Sequence, residues 1–262
     1  MGQKSPRRAL EGEEMNLLEI ENLQVKIENK TILKDINLRL REKETYVLFG
    51  PNGSGKTTLI NAIIGMPSYK VSGTIRFRGE DISNKTIDER ANLGISVGFQ
   101  DPPAITGVKL ANVLKLCLGK SPRDKLSPEE MERIEAFGLT EFLDRDFNVG
   151  FSGGERKRAE VLQMMFLKTQ LLILDEPDSG VDVESLKLIG AEVQKYVERT
   201  GSTALIVTHQ GGILDFLNAK HACVLLDSKI HCFKEPKKVY EELKVKGYKG
   251  CIECEERVTE AW

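Results

Sequence analysis

The apolar pattern of this chain changes period as it goes. Leu18 to Ile20, Val25 to Glu28 and Ile36 to Leu40 follow the period of two of half-buried strands, with Asn37 and Arg39 at outward positions of the last. Asn29-Lys30 sits where a tight turn would join two of them, and Gly73 to Phe77 reads as a strand returning to the same antiparallel layer. A wholly apolar run, Tyr46-Val47-Leu48-Phe49, is followed by a glycine-rich segment and then by the helical stretch Leu59-Ile60-Asn61-Ala62-Ile63-Ile64. Val108 to Leu118 and Pro128 to Phe137 take helical spacing across the polar stretch Gly119 to Leu126, which predicts a helical subdomain over about residues 101–168. After Gln170 the pattern predicts strand 171–175, helix 183–199, strand 203–207, a short helix near 212–218, strands 222–226 and 229–233, and helix 237–247. Such alternation belongs to a parallel α/β sheet, whose ligands sit at the carboxyl ends of its strands.

The glycine-rich segment adds chemistry to this frame. Gly50, Pro51, Asn52, Gly53, Ser54, Gly55, Lys56, Thr57 and Thr58 form a P-loop between strand and helix. Its glycines let backbone N–H groups turn inward, and the following helix offers its positive end to phosphate. Lys56 is placed for the β- and γ-phosphates of a nucleotide and Thr57 for Mg²⁺. A glycine turn before an ordinary helix would not need Lys and Thr in register.

Length and charge narrow the class. The 262 residues suit one large or two small domains, with one compact module fitting, and a net charge of −2 gives no bulk basic field for nucleic acid. Residues 1–14 lack apolar periodicity and read as a disordered leader, with Met15 as a candidate start, the domain over 15–250 and a tail over 251–262. No run approaches the roughly 20 apolar residues of a membrane span, so the expectation is a soluble, cytoplasmic protein with no direct membrane insertion. The odd count of 5 cysteines points to reduced thiols. Cys251 and Cys254 form a lone CxxC, open to three readings: incidental tail residues, a metal or cluster contact completed by a partner, or redox chemistry.

Further residues fall at predicted strand and helix ends. Asp175 follows four aliphatic residues and would hold Mg²⁺ beside Thr57, while Glu176 would polarise the attacking water as general base. Gln100 ends the strand beginning at Ile95 and precedes Asp101-Pro102-Pro103; its carbonyl oxygen could meet Mg²⁺ or water. Ser152, Gly153 and Gly154 open a long helix, a second anion site, and Ser179-Gly180-Val181-Asp182 follows Glu176. His209 ends a strand, where histidine is more often structural than catalytic, and His221 and His231 match no motif.

In this order and spacing the segments resemble an ABC-type ATPase, with P-loop, Q-loop, signature, Walker B, D-loop and H-loop all present. The resemblance implies an α/β P-loop NTPase: a RecA-like parallel sheet core, an antiparallel β layer and a helical subdomain. It implies ATP and Mg²⁺ as ligands, with His209 at the γ-phosphate. It also implies that Ser152, Gly153 and Gly154 of one copy close over ATP held by its twin, with Asp182 crossing the same interface. Many such ATPases stack an aromatic on adenine; the nearest match here is Ile27, so base stacking is expected to be weak.

Transporter subunits usually read LSGGQ, with a D-loop of the SALD type. The segments Gly150-Phe151-Ser152-Gly153-Gly154-Glu155-Arg156-Lys157-Arg158, Phe99-Gln100-Asp101-Pro102 and Asp178 to Asp182 instead look like SufC-type ATPases of iron–sulfur cluster assembly, from about Leu17 to Tyr248. That resemblance implies SufB/SufD type scaffold proteins as partners. The rival is the ATP-binding subunit of a membrane ABC importer. A chromosome or repair ATPase would carry long heptad runs between its P-loop and signature, and none lies between Thr58 and Phe151.

Overall fold

The computed structural model describes residues 16–28 and 30–252. β1 (Asn16–Ile27) and β2 (Lys30–Arg41) pair antiparallel, the chain then lays β3 (Thr45–Phe49) into a second sheet, and β4 (Tyr69–Phe77) and β5 (Glu80–Asp81) return to give the order β2-β1-β4-β5. The two short runs read near the start, Leu18 to Ile20 and Val25 to Glu28, are halves of one strand. Asn22 takes φ 51° with a register shift between Ile20 and Leu23, and that bulge breaks the alternation. Asn37 Oδ1 accepts from the Asn22 N–H at 2.9 Å and holds the bulge in place.

Between β3 and β4 runs α1 (Lys56–Ile64), and after β5 come α2 (Ile87–Asn92) and β6 (Ile95–Gly98). The helical subdomain follows: β7 (Ile105–Lys109), α3 (Leu110–Cys117), α4 (Pro128–Ala136), β8 (Asp146–Phe147) and α5 (Gly153–Phe166). The helix expected from Val108 starts at Leu110, because Val108 and Lys109 belong to β7, which pairs antiparallel with β8. The last third comprises β9 (Leu171–Asp175), α6 (Val183–Thr200), β10 (Thr203–Thr208), a 3₁₀ turn at Gly212–Asp215, β11 (His221–Leu226), β12 (Lys229–Lys234) and α7 (Pro236–Ile252).

The second sheet has the order β12-β11-β3-β10-β9-β6, parallel except at the β11–β12 edge. Its side chains alternate between two cores. Tyr46, Leu48, Leu171, Ile173, Leu205 and Val207 face α1 and the antiparallel layer, while Val47, Phe49, Leu172, Leu174, Ala204 and Ile206 face α5, α6 and the helical subdomain. Burial on both faces explains the unbroken aliphatic runs of these strands.

α7 extends past the expected end at 247, with a kink at Gly247 (φ 68°, ψ 179°), and Cys251 is buried within it. Tyr240 of α7 stacks on Phe49 at 5.9 Å between ring centres. The leader 1–14, Met15, Asn29, Cys254 and the tail from 253 lie outside the described residues. Among the described residues no helix is long and apolar enough to cross a membrane.

Candidate active site

The carboxyl ends of β3, β9 and β10 converge on one open cleft of about 550 Å³, lined by Ile32, Asn52, Gly53, Gly55, Lys56, Thr57, Thr58, Gln100, Glu176, Ser179 and His209. Gly55 caps α1 with φ 103° and no side-chain hydrogen bond, a left-handed backbone that favours glycine. The first-turn N–H groups of α1 are thereby left for an anion. Ser54 Oγ is buried in the loop with no hydrogen-bond partner, and the Lys56 ammonium folds back on the carbonyls of Gly50 and Pro51 at 2.7 and 3.2 Å. Burial pulls the Lys56 pKa below the usual lysine range, and the charges of Glu176 and Asp175 oppose the drop. A cradle of inward amides with a buried cation suits a polyphosphate.

The acidic side of the cleft is held by hydrogen bonds. Thr57 Oγ1 donates to Asp175 Oδ2 at 3.3 Å, which places a hydroxyl and a carboxylate together as oxygen ligands for Mg²⁺. Burial pushes the Asp175 carboxyl up, and a bound cation would reverse that shift. Glu176 takes φ 48°, unfavourable for a non-glycine residue, and is held there by its N–H to Val207 O at 2.7 Å. Gln100 Nε2 donates to Glu176 Oε2 at 3.0 Å, His209 Nδ1 lies 3.0 Å from Oε1, and Lys56 Nζ stands 3.9 Å from the same oxygen. Both oxygens of this carboxylate are therefore engaged and aimed.

The structure divides the residues singled out from the sequence into two groups. Asn52, Gly53, Gly55, Lys56, Thr57, Thr58, Gln100, Glu176 and His209 line the cleft, Asp175 joins them through Thr57 and Gly50 and Pro51 through Lys56, whereas Ser152, Gly153, Gly154 and Asp182 are not among its lining residues. The two segments meet each other instead. A Cβ on Gly153 would lie 2.4 Å from Gly180 O, and one on Gly154 would lie 2.4 Å from Ser185 Oγ and 2.7 Å from Asp182 Oδ2, so the start of α5 packs directly on the start of α6. Ser152 caps α5 in a capping box with Glu155, and Asp182 caps α6 by accepting from Ser185 N at 2.8 Å.

Ile27, the position read for adenine, is not among the lining residues; the apolar side chain there is Ile32, brought in by β2. Sequence reasoning also missed Asp178 and Thr208. The buried Thr208 hydroxyl donates to the Asp178 carboxylate at 2.7 Å and accepts from Gln210 N at 3.0 Å and Gly211 N at 3.2 Å, fixing the turn that carries His209. A buried strand ending in Thr beside a candidate catalytic residue was the available signal.

A parallel sheet, a glycine cradle over a helix start, and a carboxylate pair at the neighbouring strand tip define a P-loop NTPase. The chain belongs to the ABC transporter family, whose profile matches residues 33–179, and it is an ATPase cassette of that family. It is 38% identical over 255 residues to the "probable ATP-dependent transporter ycf16" of Cyanidium caldarium, covering 90% of this chain and 96% of that protein. It is likewise 38% identical to the "probable ABC transporter ATP-binding protein SpyM3_0208" of Streptococcus pyogenes serotype M3, over 82% and 88% of the two chains. Among solved structures, MJ1267, an ATP-binding cassette of an ABC transporter, superposes with a TM-score of 0.74 at 26% identity over 89% of this chain and 99% of that one. A dimeric post-hydrolysis cassette, MJ0796 bound to ADP and Pi, shares the fold with a TM-score of 0.69 at 22% identity, over 83% and 98%.

Proposed function

We propose that this ATPase drives iron–sulfur cluster assembly of the Suf type: two copies close on ATP and force a conformational change in a SufB/SufD type scaffold. The observation that carries the two-copy reading is that Ser152, Gly153, Gly154 and Asp182 are not among the residues lining the cleft of their own chain. A phosphate cage with donors on both sides then takes the signature of a second copy, with ATP held between the two. The Suf assignment is supported by the signature Phe151-Ser152-Gly153-Gly154-Glu155-Arg156-Lys157 and by Asp178-Ser179-Gly180-Val181-Asp182, which depart from the transporter pattern.

Within one cleft, Lys56 and the P-loop amides would bind the β- and γ-phosphates, and Thr57, Asp175 and the Gln100 carbonyl oxygen would hold Mg²⁺. Mg²⁺, when bound, supplies positive charge to the phosphate oxygens. Glu176 accepts a proton from the attacking water, and His209, hydrogen-bonded to it, fixes its orientation and faces the γ-phosphate. Gln100 turns with its loop, linking the cleft to whatever docks on the helical subdomain. The scaffold carries the cluster chemistry, in a reducing, cytoplasmic compartment.

The second reading, the ATP-binding subunit of a membrane importer, is favoured by the word "transporter" in the names of the relatives. Affinity purification from native extract without detergent, followed by mass spectrometry, separates the two. A SufB/SufD type scaffold that co-purifies and stimulates ATP hydrolysis is the expected result. A permease, or no partner until detergent is added, transfers the assignment to the importer.

A further inference from the structure

Phe99, the residue before Gln100, is gripped on both of its backbone polar groups by side chains of α5. Phe99 N donates to Glu160 Oε1 at 2.7 Å, while Lys157 Nζ donates to Phe99 O and, at 3.4 Å, to Asp175 O. The two side chains pair with each other at 3.6 Å one turn apart on the helix, and both are buried, 4% and 8% exposed. Glycine at 98 makes the approach possible, since a Cβ there would stand 3.1 Å from Glu160 Oε2. Burying two charges costs more than burying apolar side chains of the same size, so such a pair asks for a role beyond stability. Its geometry supplies one: α5 begins at Ser152, and two residues on its next turns hold both the Gln100 segment and the Walker B strand.

We propose that Lys157 and Glu160 form a clasp that orients Gln100 and carries displacement of the signature helix into the cleft, with Glu160 acting as a positioning residue for ATP hydrolysis. The inference rests on the ATPase reading of the cleft and not on the identity of the scaffold. A shift of the start of α5 reaches the Phe99 backbone and the Asp175 carbonyl through these side-chain bonds.

The clasp is sensitive to pH. The groups facing Glu160 are Lys157 on its own helix, the Phe99 amide after β6 and Asp175 on β9, while Asp101 faces Lys157. Burial pushes the Glu160 carboxyl up to about 7 against the opposing charge of Lys157. Ionised, it holds Lys157 and the amide together; protonated, it releases the ion pair.

Steady-state hydrolysis of Mg-ATP by the full chain tests this. Glu160→Gln is expected to lower kcat about tenfold near pH 8 with KM for ATP within about twofold, the signature of lost orientation rather than lost binding. The ratio of wild type to variant should shrink toward one below about pH 6, because glutamine imitates the protonated acid. In the double variant Lys157→Met, Glu160→Leu the buried volume is kept without the charges. It should stay folded, with a melting point lowered by the unpaired Phe99 N–H and C=O, while amide exchange at Phe99 and Gln100 quickens and kcat falls at least as far. A folded double variant with wild-type turnover overturns the clasp alone, as does a pH-independent loss with raised KM in Glu160→Gln. A wild-type chain that hydrolyses no Mg-ATP overturns the ATPase reading and the clasp together.

Discussion

Glu176 and Glu160 are both buried acids, yet their surroundings assign them different work. Glu176 has Gln100 and His209 on its two oxygens in an open cleft, so Glu176→Gln should keep ATP binding while turnover drops about 10²–10⁴-fold, read by nucleotide binding beside steady-state hydrolysis. Unchanged turnover would remove it as the base. Glu160 has a folded pKa raised from 4.5 to about 7. Between those values the folded chain binds more protons than the unfolded one, so the stabilisation is full below about pH 4.5 and is lost as pH rises through about 7. Denaturant midpoints of wild type and Glu160→Gln should therefore diverge across that window and run parallel outside it. Gly154 has no room for a methyl group against Ser185 and Asp182; Gly154→Ala is expected to destabilise by about 1–3 kcal/mol, seen as a lower midpoint.

The helices are stopped and started by different means. α4 carries its own start signal, a capping box of Ser127 and Glu130, and Ser127→Ala should cost about 1 kcal/mol without altering turnover, since α4 does not touch the cleft. α1 has no basic residue in its last turn. Buried Arg90, from α2, donates instead to Ala62 O and Ile63 O at 2.8 Å each, and to Lys85 O and Ser83 O at 3.0 and 2.9 Å. Arg90→Ala leaves those carbonyls buried and unpaired, an expected loss of about 3 kcal/mol by chemical denaturation. Capping by neighbours in sequence was legible from the residues; capping by a residue 28 positions away was not.

For the whole molecule the prediction is one of assembly. Ser152 and its glycines are not among the residues lining the cleft that would use them, so the Glu176→Gln protein with ATP should run as a dimer by size-exclusion light scattering and as a monomer without nucleotide. Adding Ser152→Arg should abolish the ATP-dependent dimer; a dimer that survives it would remove the signature from the interface. The contact of Gly153 on Gly180 ties the two proposed interface segments together, so they would approach a second copy as one surface.

The sequence by itself determined the candidate catalytic inventory and the alternation of elements, because both are written in local pattern: glycine and lysine spacing in the P-loop, aliphatic runs ending in Asp175-Glu176 and Thr208-His209, and periods of two and of helical spacing. Only the tertiary structure decided which residues meet. It joined two short runs into β1 across a bulge, moved the apolar neighbour of the cleft from Ile27 to Ile32, drew Cys251 out of the tail into the core, and set Lys157 and Glu160 on the Phe99 peptide. Each depends on contacts between residues far apart in the chain, and local propensity carries no record of them, since burial and partner choice are settled only when the layers pack.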